Sequence, residues 1–255
     1  MKESKKWKVI RNNSSMIKTE NLTKCYGRIK AIDGVNLKVE PGDTYVLLGP
    51  NGAGKTTTVK ILAGVLESTS GQSFIKGLEV LKHQFEIKKI IGYLPEDITL
   101  LGYLTPREFI DFIGKVRNIP DDEIEKRREE YISIFNLKND ADRLIYSLSK
   151  GNQKKVALIA SILHSPELLL LDEPTDNLDP EMIVILKNCL EKFKNKGVTI
   201  LISTHILSFA EKICNKVAII KEGNILREGS LTELRNLYGT DSLEEIYMKI
   251  LFPVK

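Results

Sequence analysis

The stretch that decides the fold is Thr44–Leu62, "TYVLLGPNGAGKTTTVKIL". It opens on a short apolar run suited to a strand buried on both faces. It closes on residues that begin a helix. Between them "GPNGAGKT", Gly49 to Thr56, fits the pattern of glycine, four residues, then Gly-Lys-Ser/Thr. The residue types suit one chemistry. Gly49, Pro50, Asn51, Gly52, Ala53 and Gly54 form a backbone able to wrap a polyphosphate with its amides pointing inward. The following helix N-terminus adds partial positive charge. Lys55 can reach terminal phosphates, the Thr56 hydroxyl can ligate Mg2+, and Thr57 closes the segment. The competing reading is a glycine-rich turn with a chance lysine; the strand before and the helix after argue against it. Alone, the loop specifies a nucleoside triphosphate. No Asn-Lys-x-Asp segment for reading guanine is present.

Working outward, "LLLLDEPTDNLDP" (168–180) places Asp172 and Glu173 at the end of an apolar strand. Ligands in open α/β sheets bind at the carboxyl ends of strands. Successive strand residues point opposite ways, so the two acids should have separate tasks. Asp172 is placed to serve Mg2+ through water, and Glu173 to polarise an attacking water. The plainer alternative is a pair of carboxylates capping the next helix. His205 follows the strand "VTILIST" and could donate to a γ-phosphate; standing alone, it reads equally well as a surface histidine at a helix start. His83 and His164 lack such a context and read as structural.

A second anion-suited feature lies at "YSLSKGNQKKVALIASIL", Tyr146 to Leu163. A polar segment with one glycine opens a helix whose Val156, Ile159, Ala160 and Leu163 share a face. Its N-terminus suits an anion, though Ser149 could be an ordinary helix cap.

Elsewhere the chain alternates strand and helix. "MIKTENLTKCYG", "VNLKVEPGD", "SFIKG", "IIGYLP", "KVAII" and "ILREG" read as strands, with the helix "VLKHQFEIKK" among them. From about Glu96 to Ser149 the pattern is helical. "LTPREFIDFIGKVR" has Thr105 as N-cap, Pro106 at the first helical position and Glu108 at the capping-box position; "DDEIEKRREEYISIF" follows. The end, "LTELRNLY" and "SLEEIYMKIL", is helical. This order predicts a mostly parallel sheet with helices on both faces and an inserted helical subdomain.

The 255 residues, 42% hydrophobic and 28% charged, have an ordinary globular balance. No apolar run reaches the roughly 18 residues of a spanning helix, and no secretory signal is visible. The three cysteines are far apart, without metal-ligand spacing, and read as thiols in a reducing compartment. The net charge of +4 comes from the leader, where Lys2, Lys5, Lys6, Lys8 and Arg11 face Glu3. The remaining 33 basic and 33 acidic residues cancel, so the body has no electrostatic argument for a nucleic-acid partner.

Together these residues resemble the ATP-binding subunit of ABC transporters. "GPNGAGKTT", "GYLPED", "LSKGNQKK", "LLLLDEP", "NLDP" and "STH" stand in the family's order, from about Ile17 to Leu251. The resemblance implies an α/β P-loop NTPase fold: a mostly parallel core sheet, an N-terminal antiparallel β part and an inserted helical subdomain. The expected division is a basic extension 1–15, an ATP-binding core over 16–95 and 154–229, a helical subdomain 96–153, and C-terminal helices 230–255. The implied activity is hydrolysis of MgATP by two subunits meeting head to tail, a homodimer or a pair of close relatives. In that arrangement Ser149 and the Gly151 backbone touch ATP held by the partner. Tyr26 matches the aromatic that stacks on adenine; alone it would read as a packing residue. Asn177, Leu178 and Asp179 match the loop that crosses the dimer interface. Glu173 matches the family's general base and His205 its switch histidine. Thr56, Asp172 and Glu96 fall at the metal.

The departures matter. The family usually has glutamine at Glu96, and glutamate there is similar to a branch rich in exporters of drugs, antibiotics and ions. Lys150 and Asn152 replace a glycine and a glutamine, and Lys155 stands where arginine is common. The implied partners are separate integral-membrane permease subunits, with the chain cytoplasmic and peripheral on the inner face of the cell membrane. The alternative is a soluble ABC ATPase without a transport role.

Overall fold

The computed structural model describes residues 15–252. Of the basic extension expected over 1–15, all but Ser15 lies outside the described residues. In chain order the elements are β1 (Ile17–Tyr26), β2 (Ile29–Val35), β3 (Lys38–Val39), β4 (Thr44–Leu48), α1 (Lys55–Leu62), β5 (Ser70–Ile75), β6 (Leu78–Glu79), α2 (Gln84–Ile90) and β7 (Ile91–Leu94). Then come α3 (Pro106–Val116), α4 (Asp121–Ile134), α5 (Lys150–Ile162), β8 (Leu168–Asp172), α6 (Pro180–Asn195) and β9 (Thr199–Thr204). The chain finishes with α7 (Leu207–Ile213), β10 (Lys216–Lys221), β11 (Asn224–Ser230), α8 (Leu231–Tyr238) and α9 (Leu243–Leu251).

One sheet has the order β11-β10-β4-β9-β8-β7. All its pairs are parallel except β10 with β11. Every residue of β4, β8 and β9 is buried, because apolar layers cover both faces. Alternation splits their side chains between two cores. Val46, Leu48, Leu169, Leu171 and Ile202 join a core with Phe109, Ile132, Leu186 and Phe193 from the larger helices. Tyr45, Leu47, Leu168, Leu170 and Leu201 join the other, with Val59, Ile61 and Leu62 of α1. That second core also takes Ile17, Leu22, Ile32, Val39 and Ile75 from an antiparallel sheet of order β2-β1-β5-β6, with β3 paired to β1. Helix α1 is therefore sandwiched between two sheets.

Helix α3 starts as its sequence predicts. Thr105 and Glu108 make both hydrogen bonds of a capping box, and Pro106 occupies the first turn. Helices α3 and α4 cross closely at Gly114, where a Cβ would lie 2.6 Å from Ile124. Helix α2 is shorter than the expected 80–89. The Val80 amide donates to the Ser73 carbonyl and the His83 amide to Glu79, so the hairpin and its turn claim those residues first. Among the described residues, no helix is long and apolar enough to cross a membrane.

Helix α5 lies hard against β7. A Cβ at Gly92 would sit 2.1 Å from the Ser161 carbonyl oxygen and 3.0 Å from Pro166. Gly92→Ala should push α5 off the sheet and lower the unfolding free energy by about 2 kcal/mol, a usual overpacking cost. Urea titration at unchanged slope measures this; an unmoved midpoint would show that α5 and β7 do not approach so closely.

Candidate functional site

Gly49 and Gly54 of the 49–54 loop are there for closeness, and Gly52 for its φ of +78°. A Cβ at Gly49 would meet the Ile220 carbonyl oxygen at 2.2 Å. Gly54, at φ +103°, would bring one within 2.4 Å of the Ala31 carbonyl oxygen. The loop is thus wedged between β10 and β2, with its helix starting at Lys55. A cleft of about 250 Å³ opens over it, lined by Ala31, the 51–57 segment, Glu96 and Glu173.

Lys55 is 4% exposed. Its ammonium donates to the Gly49 and Pro50 carbonyls at 2.9 and 3.1 Å and lies 3.2 Å from Glu173 Oε1. Thr56 Oγ1 lies 3.0 Å from Glu96 Oε2 and 3.1 Å from Asp172 Oδ1. A hydroxyl has one proton, so it can serve only one of these carboxylates at a time. Asp172 Oδ1 also accepts from Ser203 Oγ. Asp172 Oδ2 is buried with no hydrogen-bond partner among the described residues. Burial holds the Asp172 carboxyl above its ordinary range, opposed by the Ser203 and Thr56 hydrogen bonds and assisted by the charges of Glu96 and Glu173. Burial, then Asp172 and Glu96, pushes the Tyr93 hydroxyl up to about 12. Two carboxylates and a hydroxyl converge with one carboxylate oxygen unclaimed. That donor set fits a hard divalent cation such as Mg2+.

Asp172 and Glu173 do part ways, but not by simple strand alternation. Strand β8 ends at Asp172, and Glu173 has φ +42°, in the left-handed region. Its amide donates to the Ser203 carbonyl at 3.0 Å. Its carbonyl accepts from Lys154 Nζ at 2.8 Å and from the Asp176 amide at 3.2 Å. The turn brings Glu173 Oε2 to His205 Nδ1 at 3.1 Å, with Oε1 toward Lys55. His205 is partly open to solvent. Asp176 joins the same group, and burial followed by the Glu173 charge raises its carboxyl.

The remaining expected residues lie apart from the cleft lining. Tyr26 is at the tip of β1, half exposed, with Lys24 Nζ 5.4 Å from its ring centroid. Ser149 is exposed and caps α5, accepting from the Asn152 amide at 3.2 Å. Gly151 has an intrachain reason to be glycine: a Cβ would lie 2.7 Å from the Asn177 carbonyl oxygen. Asn177 has φ +62°, and Asp179 caps α6 through the Met182 amide at 2.8 Å. Sequence reasoning missed Lys154, Asp176 and Ser203. For Lys154 the signal was a lysine one turn before Leu158, on a side of α5 where both are buried.

The chain matches the family model described as ABC transporter over residues 32–176. It is 39% identical to the Bacitracin transport ATP-binding protein BcrA of Bacillus licheniformis, over 84% of this chain and 70% of that one. It is similar to the solved "Structure of ATP binding subunit of ABC transporter", with a TM-score of 0.86 and 30% identity, over 93% of this chain and all of the other. It is also similar to the "Dimeric structure of a post-hydrolysis state of the ATP-binding cassette MJ0796 bound to ADP and Pi". That likeness has a TM-score of 0.75 and 27% identity, over 84% of this chain and 98% of the other.

His164 lies away from the cleft, its Nε2 2.9 Å from the Ile91 carbonyl oxygen and its Nδ1 buried without a partner among the described residues. Burial, then the Arg117 charge, pulls it from 6.5 down to about 4. Between those values the unfolded chain binds a proton that the folded chain does not. The stabilisation is therefore complete above pH 6.5 and is lost as pH falls toward 4. His164→Gln should flatten that part of the stability–pH curve; parallel curves from urea titrations would overturn the assignment.

Proposed function

The chain belongs to the ABC transporter family as an ATP-hydrolysing subunit, and from that premise we propose that it works as half of a head-to-tail dimer driving export through separate membrane subunits. The observation that carries this reading is the meeting of Lys55, Thr56, Glu96, Asp172, Glu173 and His205 around one phosphate-loop cleft.

Phosphates lie on the amides of the 49–54 loop and at the start of α1. Lys55 exchanges its carbonyl partners for phosphate oxygens, and Tyr26 covers the adenine. Thr56, Asp172 and Glu96 would hold Mg2+, which would supply neutralisation of phosphate charge. Glu173 accepts the proton of the attacking water as its oxygen bonds to the γ-phosphorus and ADP leaves. His205 orients the Glu173 carboxylate through Nδ1 and turns its other ring edge toward the γ-phosphate. Ser149 and Gly151 face solvent or the loop at Asn177 rather than their own cleft, which supports a contact with ATP of the partner. Hydrolysis removes that contact and lets the dimer open. Asn152 is anchored to Asp140 Oδ2 at 2.7 Å, so this departure from the family pattern preserves the helix start.

A membrane partner is supported by a groove of about 780 Å³ beside α2, β7 and α3. Its wall includes Val65, Phe85 and Val116, which are 62%, 70% and 60% exposed. Open apolar side chains of this kind mark docking surfaces. Glu96, which follows β7, links that groove to Thr56. The name of the bacitracin-transport relative supports transport over a soluble ATPase. The proposed location is the cytoplasmic face of the membrane.

Glu173→Gln should lower kcat by at least about a hundredfold, the usual worth of a general base, and trap an ATP-bound dimer on size-exclusion chromatography. A variant that stays monomeric in ATP would overturn the sandwich. Glu96→Gln removes one of two charges around Thr56, so the Mg2+ concentration for half-maximal turnover should rise several-fold; an unchanged Mg2+ titration would remove Glu96 from the metal.

A further inference from the structure

Lys154 is a buried cation that none of the steps above uses. It is 1% exposed, although burying an ammonium is costly. Among the described residues it makes no ion pair within 4.0 Å; its one hydrogen bond goes to the Glu173 carbonyl at 2.8 Å. That carbonyl belongs to a residue at φ +42°, a conformation that side-chain-bearing residues hold only when their surroundings enforce it. Here the enforcement is three hydrogen bonds on one residue: Lys154 Nζ and the Asp176 amide on the carbonyl, and the Ser203 carbonyl on the amide. The left-handed turn is what aims the Glu173 carboxylate at Lys55 and His205 instead of along β8. Burial pulls the Lys154 ammonium below its ordinary range, opposed by the charges of Asp176, Asp172, Glu96 and Glu173.

We propose that Lys154 is a positioning residue that holds the Glu173 backbone in its left-handed turn and ties it to the helix begun by Ser149. This rests on Glu173 being the base and on Ser149 meeting the partner's ATP. Lys154 is the fifth residue of α5, so one side chain separates the helix end that meets the partner from the peptide that aims the base. Seating of that helix end on the partner's γ-phosphate thereby reaches the Glu173 carboxylate of its own chain without passing through the phosphate loop.

The test uses the full chain with MgATP and four variants: Lys154→Met, Lys154→Arg, Glu173→Gln and the double Lys154→Met/Glu173→Gln. Misaiming a base costs about tenfold or more, so Lys154→Met should lower kcat by that factor while KM for ATP stays within about twofold. Lys154→Arg keeps a charged donor and should recover most of kcat. Because Lys154 acts through the carboxylate, Lys154→Met should cause no further loss of single-turnover rate in the Glu173→Gln background. A wild-type kcat in Lys154→Met, a KM that rises in step with the loss, Arg no better than Met, or a multiplicative loss in the double variant would each overturn the proposal. If melting shows Lys154→Met unfolded, Lys154→Gln, a shorter neutral donor, carries the same kcat, KM and double-variant comparisons. Full turnover in Glu173→Gln would overturn the base assignment itself. An inactive Glu173→Gln beside a normal Lys154→Met would overturn only the tie.

Discussion

The register of three parallel strands is the constraint on which the rest depends. Leu48 stands opposite Thr204, and Asp172 opposite Ser203. That alignment puts the phosphate loop after β4, Asp172 and Glu173 at the end of β8 and His205 after β9 at one edge of the sheet. A slip of one residue would turn every side chain of the moved strand to the other face. In β4, Tyr45 belongs to one core and Val46 and Leu48 to the other, so a slip there would force the Tyr45 ring to the opposite face of the sheet. The buried interior is therefore what keeps the polar edge in place.

At that edge the electrostatics are left open on purpose-built geometry. Asp172 is fully buried with one oxygen unclaimed among the described residues, beside a hydroxyl that faces a second carboxylate. Repulsion between the two acids and the cost of burying Asp172 both favour a cation or a proton there. Glu173 is treated differently, since Lys55 and His205 flank it. Adjacent carboxylates thus face a cation-hungry pocket in one case and a cationic, hydrogen-bonded pocket in the other. The proposed activation of water beside Mg2+ needs such a division.

Much of this was legible in the residues. The phosphate loop could be read because its pattern is contiguous and Gly52 and Gly54 take left-handed backbone, although the close approaches at Gly49 and Gly54 are to distant strands. The start of α3 was legible for the same reason, as the Thr105–Glu108 box closes within four residues. The start of α2 was not, because the Val80 amide is taken by Ser73 across a hairpin, a contact outside any local window. The separation of Asp172 from Glu173 was foreseen, but strand alternation was the wrong cause. The left-handed turn at Glu173 depends on Lys154 from helix α5 and Ser203 from strand β9, both on other elements of the chain.

By itself the sequence determined the alternating α/β order, the phosphate loop, the paired acids and the family, because each rests on neighbours within a few residues or on motif order. Only the tertiary structure decided which side chains share the cleft. It put Glu96 on Thr56, aimed Glu173 at Lys55 and His205, kept Ser149 away from the cleft of its own chain and buried Lys154 against the Glu173 carbonyl. Those outcomes hang on strand register and on hydrogen bonds between distant segments, and such bonds exist only once the two cores have closed on both faces of the sheet.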